Sequence, residues 1–382
     1  MARPDASLLS TPPDHAGRLS RAIAVARVIC IMGIVYVHAW TGRNGHDLQL
    51  LDHTPQGMLR WALIELMGRS SVPLLSMISG WLVAPSLERR GWRRFLAGKL
   101  RTVLAPMVVW NALAIVFVSG AARAGWIYGP QPTTWWWTID ELFCLITPDD
   151  INVQLPFLRD LFVCLMAAVV LVRLPDRVLG VMAGLALVWS LAAVNLYVLQ
   201  RPSILAFFIL GMLARRHDLA AFMASRPLVL MASPYVVMAG LRIWLEAVGI
   251  DAGVNNPTLL AGVDLVMRLA TALFFWAIAW RVADSRAAAA LLRIEPFMFL
   301  MFCSHLIVIW LAGPLIGGVT GRMGSPAYPV YLLVQPLLWL AVAVVMGRVL
   351  LAIAPAAARM LSGGRLSAAR RPPPQAMTAA AH

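Results

Sequence analysis

The sequence predicts an all-helical integral membrane protein, a polytopic bundle of about ten transmembrane helices. Hydrophobic residues make up 60% of the 382 residues and charged residues only 13%, and the mean hydropathy is +0.75. A soluble globular domain has about 45–50% apolar and about 25% charged residues. Apolar runs of about 18 residues or more, the length that a helix needs to cross a bilayer, recur from Arg21 to Pro355. This pattern excludes a separate soluble domain.

Ten segments have the length and hydropathy of a membrane span. In chain order they are 20–41, 59–85, 100–121, 155–173, 178–199, 202–214, 228–248, 260–281, 296–316 and 328–354. The sixth is short, which suggests a tilted or re-entrant helix. The polar segment 1–17 and the Arg/Ala/Pro-rich segment 356–382 are predicted to be disordered tails. They flank one transmembrane domain, residues 18–355.

Basic residues predict the orientation of these spans. The strongest basic cluster, Glu88–Arg101, joins the second and third spans, so the positive-inside rule places it in the cytoplasm. Every second connection after it is also rich in arginine, which predicts that both termini are cytoplasmic. The same arginines account for the formal net charge of +14, so nucleic-acid binding is not predicted. The four cysteines are far apart in the sequence and form no metal-binding motif, so no metal site is predicted.

The first span carries two polar residues, Arg27 and His38, at a spacing that places them on one helical face. Eleven residues at about 100° each exceed three full turns by only about 20°, and the axial separation is about 16 Å. Ionisable residues inside a membrane span usually face an aqueous cavity or a partner. The pair therefore predicts a polar stripe that extends partway across the membrane, with Arg27 nearer the cytoplasm.

Further ionisable residues lie within the spans, and most of them have a possible partner nearby in the sequence. They are Glu65 with Arg69, Arg159 with Asp160, Arg242 with Glu246, and Asp264 with Arg268. Arg159 and Asp160 are adjacent, whereas the other three pairs are spaced i, i+4 and meet on one face of a helix, where they can neutralise each other. The pairs are interpreted either as ion pairs that hold the bundle together or as the lining of a site. In the predicted orientation all four lie in the outer half, which favours a hydrated cavity on that side. His305 has no such partner, so it is either a structural hydrogen-bond donor or a site residue.

Three sequence motifs resemble the membrane-bound acyltransferase-3 family of bacteria. The first is the Arg27-to-His38 spacing, and the second is Ser71-Val72-Pro73 with Ser79-Gly80-Trp81, followed by the basic segment that leads to Pro106. The third is Leu158–Leu161, which is similar to the start of the family's fourth span. The resemblance covers essentially all of residues 18–354.

The resemblance implies O-acylation of cell-surface or exported glycans at the bacterial inner membrane. The donor would be an acyl-coenzyme A, most simply acetyl-CoA, used as a substrate and not held as a permanent cofactor. His38 would act as the general base or carry the acyl group, Arg27 would contact the anionic donor, and Glu65 is the best candidate for a partner of His38. The residues implied for substrate are Arg69, Arg159, Asp160, His305 and Ser79. Those implied for the donor phosphates are Arg93, Arg94, Lys99 and Arg101. The positive-inside rule alone explains the presence of these basic residues equally well.

Two other classes of function fit the same polar residues. A glycan exporter or flippase also needs arginines and carboxylates inside the membrane, and a subunit of a polysaccharide-synthesis complex can lack activity altogether. Only the acyltransferase needs His38 for turnover. The expected partners are therefore the glycan acceptor, the lipid bilayer and proteins of polysaccharide biosynthesis.

Overall fold

A computed structural model of the protein describes residues 13–43, 54–146, 150–192, 194, 197–247, 257–321 and 323–367. These residues form helices and no strands. The helices are α1 (Pro13–Val35), α2 (Pro55–Arg90), α3 (Trp92–Arg123), α4 (Trp135–Phe143), α5 (Pro156–Leu171), α6 (Asp176–Ala192), α7 (Pro202–Arg216), α8 (Leu219–Ser225), α9 (Leu228–Ala247), α10 (Pro257–Val282), α11 (Arg286–Thr320), α12 (Tyr328–Ile353) and α13 (Pro355–Leu361). The predicted all-helical class is confirmed.

Six of the described helices are long and apolar enough to cross a bilayer: α2, α3, α9, α10, α11 and α12. The chain is therefore a multi-pass membrane protein. The other four predicted spans are also helical and correspond to α1, α5, α6 and α7. The last three have 16, 17 and 15 residues, and at about 1.5 Å per residue they rise only about 22–26 Å, less than a bilayer core of about 30 Å. The count of ten spans and the side of each terminus remain predictions.

Helix α1 lies at the centre of the bundle. It packs against α2, α10, α11 and α12. Its residues contribute to both large apolar clusters, with Ala22, Ala26 and Cys30 in one and Val28 and Ile31 in the other. Because α1 packs against both clusters, its polar residue Arg27 faces a cavity inside the protein.

Helices α2 and α7 cross in direct backbone contact at two glycines. A Cβ atom on Gly80 would lie 1.9 Å from the carbonyl oxygen of Phe208, and one on Gly211 would lie 2.0 Å from that of Met77. Small residues allow membrane helices to approach this closely. This close packing holds α7 against the helix that carries Arg69 and Ser79.

We expect Gly80→Ala to destabilise the protein strongly, because the new methyl group would collide with backbone that cannot rotate away. Overpacking typically costs about 1–3 kcal/mol, and a backbone clash belongs at the upper end of that range. The matched control is Gly240→Ala in α9, where an added Cβ has no neighbour within 4 Å. Thermal unfolding in detergent, followed by size-exclusion chromatography, measures the difference. Equal melting temperatures for the two variants would contradict the crossing described here.

Residues 356–367, which the sequence predicts to be part of a disordered tail, pack against the bundle. Helix α13 begins at Pro355, and the residues after it fold back onto the bundle, so that Ser362 and Leu366 are buried. The indole N–H of Trp110 donates to the carbonyl of Leu361 at 3.0 Å. The predicted disordered tail is therefore wrong for residues 356–367, because these contacts come from helices far away in the sequence.

Candidate active site

His38 lies just beyond the end of α1 and not within it. The backbone N–H groups of Tyr36, Val37 and His38 bond to carbonyls three residues earlier, which tightens the chain and ends the helix. The Tyr328 hydroxyl donates to the Ala39 carbonyl at 2.7 Å. Irregular backbone at membrane depth is tolerated where it is buried in protein and lines a cavity. The predicted continuous span 20–41 is thus wrong beyond Val35, and His38 and Arg27 do not share one helical face.

His38 lines a cavity of about 490 Å³, called here the His38 cavity. The nearest titratable ring is His305, with 5.5 Å between the ring centroids. The Nδ1 atom of His305 lies 2.9 Å from the Phe302 carbonyl and 3.1 Å from the Met301 carbonyl. Both neighbours are acceptors, so Nδ1 carries the proton. Nε2 is then an acceptor, and it is buried without a partner.

Glu65 does not contact His38. Its carboxylate accepts from Arg69 at 2.8 Å, and no residue in the described part of the chain hydrogen-bonds to the His38 ring. The suggestion that Glu65 orients His38 is therefore wrong. Both residues of this pair lie in a π-helical stretch of α2, Leu63–Arg69, and such stretches frequently occur at functional sites. Arg69 lines the His38 cavity.

Arg27 lines a second, smaller cavity of about 100 Å³, called here the Arg27 cavity. Its guanidinium pairs with Glu295 at 3.2 Å. Ser79 and Arg365 also line this cavity, and the Ser79 hydroxyl donates to the Leu75 carbonyl one turn earlier. Sequence reasoning missed Glu295 and Arg365. A lone acid before Pro296, at the start of an apolar run, was the available signal for Glu295, but nothing in the sequence marks Arg365.

The C-terminal segment carries Arg365 into the Arg27 cavity. Gly363 has φ of +60°, and a Cβ there would lie 2.5 Å from the Thr102 carbonyl, so the turn depends on glycine. The Arg365 guanidinium stacks over the Phe299 ring at 4.1 Å. Burial, and after it the positive charge of Arg27, lower the pKa of Arg365 to about 10. The guanidinium is therefore still charged at neutral pH, and the cavity contains two cations and one carboxylate.

Phe157 and Phe302 line both cavities. Their rings meet edge to face, with centroids 5.9 Å apart and an angle of 71° between the planes. The residues predicted to act together therefore face two spaces that meet at one aromatic pair, with Arg27 on one side and His38 on the other.

Of the four basic residues predicted to bind the donor, only Lys99 approaches the Arg27 cavity. Arg93, Arg94 and Arg101 are exposed. Lys99 is partly buried beside the Phe95 ring, close enough to Arg365 and Arg27 for their charges to interact. The segment thus forms a basic surface from which Lys99 reaches towards the cavity.

Comparison with known proteins identifies the family of the chain. A family described as an acyltransferase domain, of the acyltransferase-3 type, matches residues 20–356. The chain belongs to this family. It is therefore an acyltransferase. It is also similar to the protein named "Succinoglycan biosynthesis protein ExoH" of Rhizobium meliloti (strain 1021), with 28% identity over 381 residues that cover 94% of this chain and 96% of the relative. No solved structure matches the chain.

In this acyltransferase, Arg159 and Asp160 hold a loop and do not line either cavity. The Asp160 carboxylate, which is 0% exposed, accepts from the backbone N–H groups of Gln200 and Arg201. Arg159 donates to the carbonyls of Tyr197 and Val198 and pairs with Asp160 at 2.7 Å. Arg159 and Asp160 were predicted to contact the substrate directly, but they do not line either cavity. They support the loop that brings Arg201 to the His38 cavity.

The predicted pairing of Asp264 with Arg268 is wrong. Asp264 accepts instead from Arg242 of the neighbouring helix at 2.9 Å, and Arg242 also pairs with Glu246 at 2.7 Å. One arginine on α9 thus satisfies two carboxylates. Arg268 remains without a carboxylate partner among the described residues and lines the His38 cavity.

Gln154 is a further cavity residue that sequence reasoning missed. Its side chain reaches the His38 cavity from the chain before α5, where its amide donates to Asn152 and to the Phe302 carbonyl, both at 3.5 Å. Glu141 fixes this segment by accepting from the backbone N–H of Ile151 at 2.8 Å. The polar run just before the fourth predicted span was the available signal. The Oε1 atom of Gln154 is buried without a partner.

Proposed function

We propose that this acyltransferase moves an acyl group, most simply acetyl, from cytoplasmic acyl-CoA to a sugar hydroxyl on the other side of the bacterial inner membrane. The observation that supports the proposal is the pair of cavities that meet at Phe157 and Phe302. A donor bound beside Arg27 and an acceptor bound beside His38 would have their reacting groups separated only by these two rings. A small rotation of the rings would bring the thioester carbonyl next to the acceptor hydroxyl.

The cationic side of the site suits the donor. Arg27 and Arg365 face a cavity whose only carboxylate among the described lining residues is Glu295. Guanidinium groups bind phosphate through paired hydrogen bonds, and the exposed Arg93, Arg94 and Arg101 offer further positive charge on the surface of the same basic segment. In the proposed orientation this segment is cytoplasmic, the compartment that supplies acyl-CoA.

The chemistry proposed for the other side is general-base catalysis by His38. A ring nitrogen of His38 takes the proton of the sugar hydroxyl as the oxygen attacks the thioester carbonyl carbon. Arg69, in the same cavity, stabilises the oxyanion of the tetrahedral intermediate. The carbon–sulfur bond then breaks, and the imidazolium returns its proton to the coenzyme A thiolate. The products are an ester and free coenzyme A, and His38 is restored. His305 Nε2, which is buried beside His38, offers a second acceptor for a hydrogen bond in this step.

The proposed acceptor is an exported polysaccharide or its lipid-linked precursor. The name of the similar Rhizobium meliloti protein, which refers to succinoglycan biosynthesis, supports an exopolysaccharide. Association with other proteins of polysaccharide synthesis is proposed on the same basis.

Sealed membrane vesicles test both the activity and its direction. Acetyl-labelled acetyl-CoA is added outside inverted and right-side-out vesicles that contain the protein and its glycan. We expect base-labile label in the glycan only when the cytoplasmic face is outward. Glycan that crosses the membrane without gaining label would instead identify an exporter, and label gained only in right-side-out vesicles would reverse the proposed orientation.

A further inference from the structure

The wall of the His38 cavity is strongly cationic. Three guanidinium groups line it, those of Arg69, Arg201 and Arg268, and no carboxylate is among the described residues that line it. The three come from α2, from the loop before α7 and from α10, so the tertiary fold collects them. An uncompensated charge within a membrane protein is costly and usually marks a ligand or ion pathway.

Two of these arginines have no ion-pair partner in the part of the chain that the structure describes. Arg69 is paired with Glu65. The Arg201 guanidinium makes one long hydrogen bond, 3.4 Å to the Val153 carbonyl. The backbone N–H of Arg201, and not its guanidinium, donates to the nearby Asp160. The Asp264 carboxylate forms its ion pair with Arg242 and not with Arg268, although the charges of Asp264 and Glu65 still act on Arg268 from a longer distance.

The electrostatics of Arg201 reflect this crowding of positive charge. Arg201 lies in the loop between α6 and α7, outside the helices. Burial lowers its pKa; Asp160 raises the pKa, and the positive charges of Arg268 and Arg69 lower it. The like charges are therefore close enough to destabilise one another, and an anion bound between them would relieve the repulsion.

Arg201 and Arg268 also line an adjoining space. This second lobe, of about 340 Å³, continues past Ser203 and is bounded by Trp189 and Gln200. Ser203, Arg201 and Arg268 contribute to both lobes, so they lie at the junction. Both volumes fall in the range of about 300–1,000 Å³ that is typical of ligand sites. A ligand that extends from His38 into the second lobe has to pass between the two guanidinium groups.

Unpartnered buried acceptors and donors give independent evidence that a polar ligand belongs here. Gln154, which is 4% exposed, lines the cavity and has no partner for its Oε1 atom. Trp40, which is 6% exposed, also lines the cavity, and its indole N–H has no hydrogen-bond partner. A buried polar atom left unpaired costs about 1–3 kcal/mol, which a bound polar molecule would recover.

We propose that the acyl acceptor is anionic, and that its carboxylate or phosphate binds between Arg201 and Arg268 while its hydroxyl lies at His38. This inference rests on the proposed acyl transfer and adds the chemical class of the acceptor. A neutral sugar needs no such pair, because hydroxyl groups are bound well by neutral amides and hydroxyls. Two guanidinium groups that form no ion pair with a carboxylate in the described part of the chain match an anion that can accept several charge-assisted hydrogen bonds.

The test uses the full-length enzyme in nanodiscs, with labelled acetyl-CoA and the de-esterified host glycan as acceptor. The glycan is used native, after chemical reduction of its carboxylates to alcohols, and after removal of its phosphates. We expect one of the two anion-depleted forms to lose at least about tenfold in kcat/KM with the wild-type enzyme, in line with the strength of a charged hydrogen bond. Arg268→Gln and Arg201→Gln are expected to lose as much on the native glycan and to show no further loss on the depleted form.

Control variants separate this role from folding. Arg268→Lys keeps the charge and is expected to retain part of the preference for the anionic acceptor. Arg123→Gln changes an exposed arginine outside both cavities and is expected to behave as wild type. Each variant is compared at equal amounts of monodisperse protein. If Arg268→Gln does not fold, the comparison of native and depleted glycans with the wild-type enzyme decides the question.

Three outcomes would overturn the proposal or its basis in distinguishable ways. Equal transfer by the wild type to native and to both depleted glycans would show that the acceptor anion is not recognised. In a second outcome, the wild type prefers succinyl-CoA to acetyl-CoA and is insensitive to the charge of the acceptor. If both glutamine variants lose that preference, the anion bound by the two arginines belongs to the acyl group and not to the acceptor. Absence of transfer to every acceptor would instead contradict the proposed function itself.

Discussion

Replacement of His38 by alanine is expected to lower acyl transfer by about 10³-fold, within the range of about 10²–10⁴ that general acid–base catalysis contributes. His38 is the only histidine among the described residues that line either cavity. No other described group in the His38 cavity can both take a proton from a hydroxyl at neutral pH and return it to a thiolate. The glutamine variant, which keeps much of the volume and a hydrogen-bonding end, is expected to lose a similar amount.

The measurement is transfer of labelled acetyl to the glycan at saturating donor, at equal amounts of inserted protein. His217→Ala is the matched control, because His217 is an exposed histidine that pairs with Asp176 away from both cavities. It is expected to retain wild-type activity. Transfer by His38→Ala at more than about a tenth of the wild-type rate, a smaller loss than general-base catalysis contributes, would exclude His38 as the base.

Replacement of Arg27 by glutamine is expected to raise KM for acetyl-CoA by about 10–100-fold, since a hydrogen bond to a charged group is worth about 1.5–3 kcal/mol. The change removes one of the two guanidinium groups of the Arg27 cavity. Arg365→Gln is expected to act in the same direction, because Arg365 lines the same cavity from the C-terminal segment. Initial rates at varied acetyl-CoA concentration, with fixed glycan, give KM and kcat separately.

The ion pair between Arg27 and Glu295 provides a way to distinguish a role of Arg27 in donor binding from a role in stabilising the fold. If Arg27 only neutralises Glu295, the double variant Arg27→Gln/Glu295→Gln restores both stability and KM. If Arg27 binds the donor, the double variant restores stability and leaves KM high. Arg21→Gln is the control, since Arg21 lies on the same helix and pairs with Asp284 near the surface. Normal KM in the double variant would contradict a donor-binding role for Arg27.

Much of the helical architecture follows from local sequence properties. Hydropathy over about 20 residues locates a membrane helix without knowledge of its neighbours, and each of the ten predicted segments contains a helix in the structure. Arg27 and His38 were also marked by the sequence, because an ionisable residue in an apolar run is conspicuous wherever the helix packs. Helix ends were less predictable, as at Val35, where the chain tightens and leaves the helix.

Helical spacing predicted a charge pair correctly where no arginine of a neighbouring helix bonded to the carboxylate. Glu65 with Arg69 and Arg242 with Glu246 formed as spacing suggests. Asp264 did not, because Arg242 on the adjacent helix reaches it at 2.9 Å. Periodicity describes a single helix, so it cannot register a competitor that a neighbouring helix provides.

The sequence by itself determined the membrane class, the acyltransferase-3 resemblance and the two polar residues of the first span. The tertiary structure alone decided that Arg27 and His38 face separate cavities joined at Phe157 and Phe302. It also decided that Arg365 and Glu295 line the Arg27 cavity, and that Arg201 and Arg268 line the His38 cavity. The physical reason is that hydropathy and helical spacing are properties of neighbouring residues. A cavity, in contrast, is formed by side chains up to hundreds of positions apart, and only the packing of the helices brings them together.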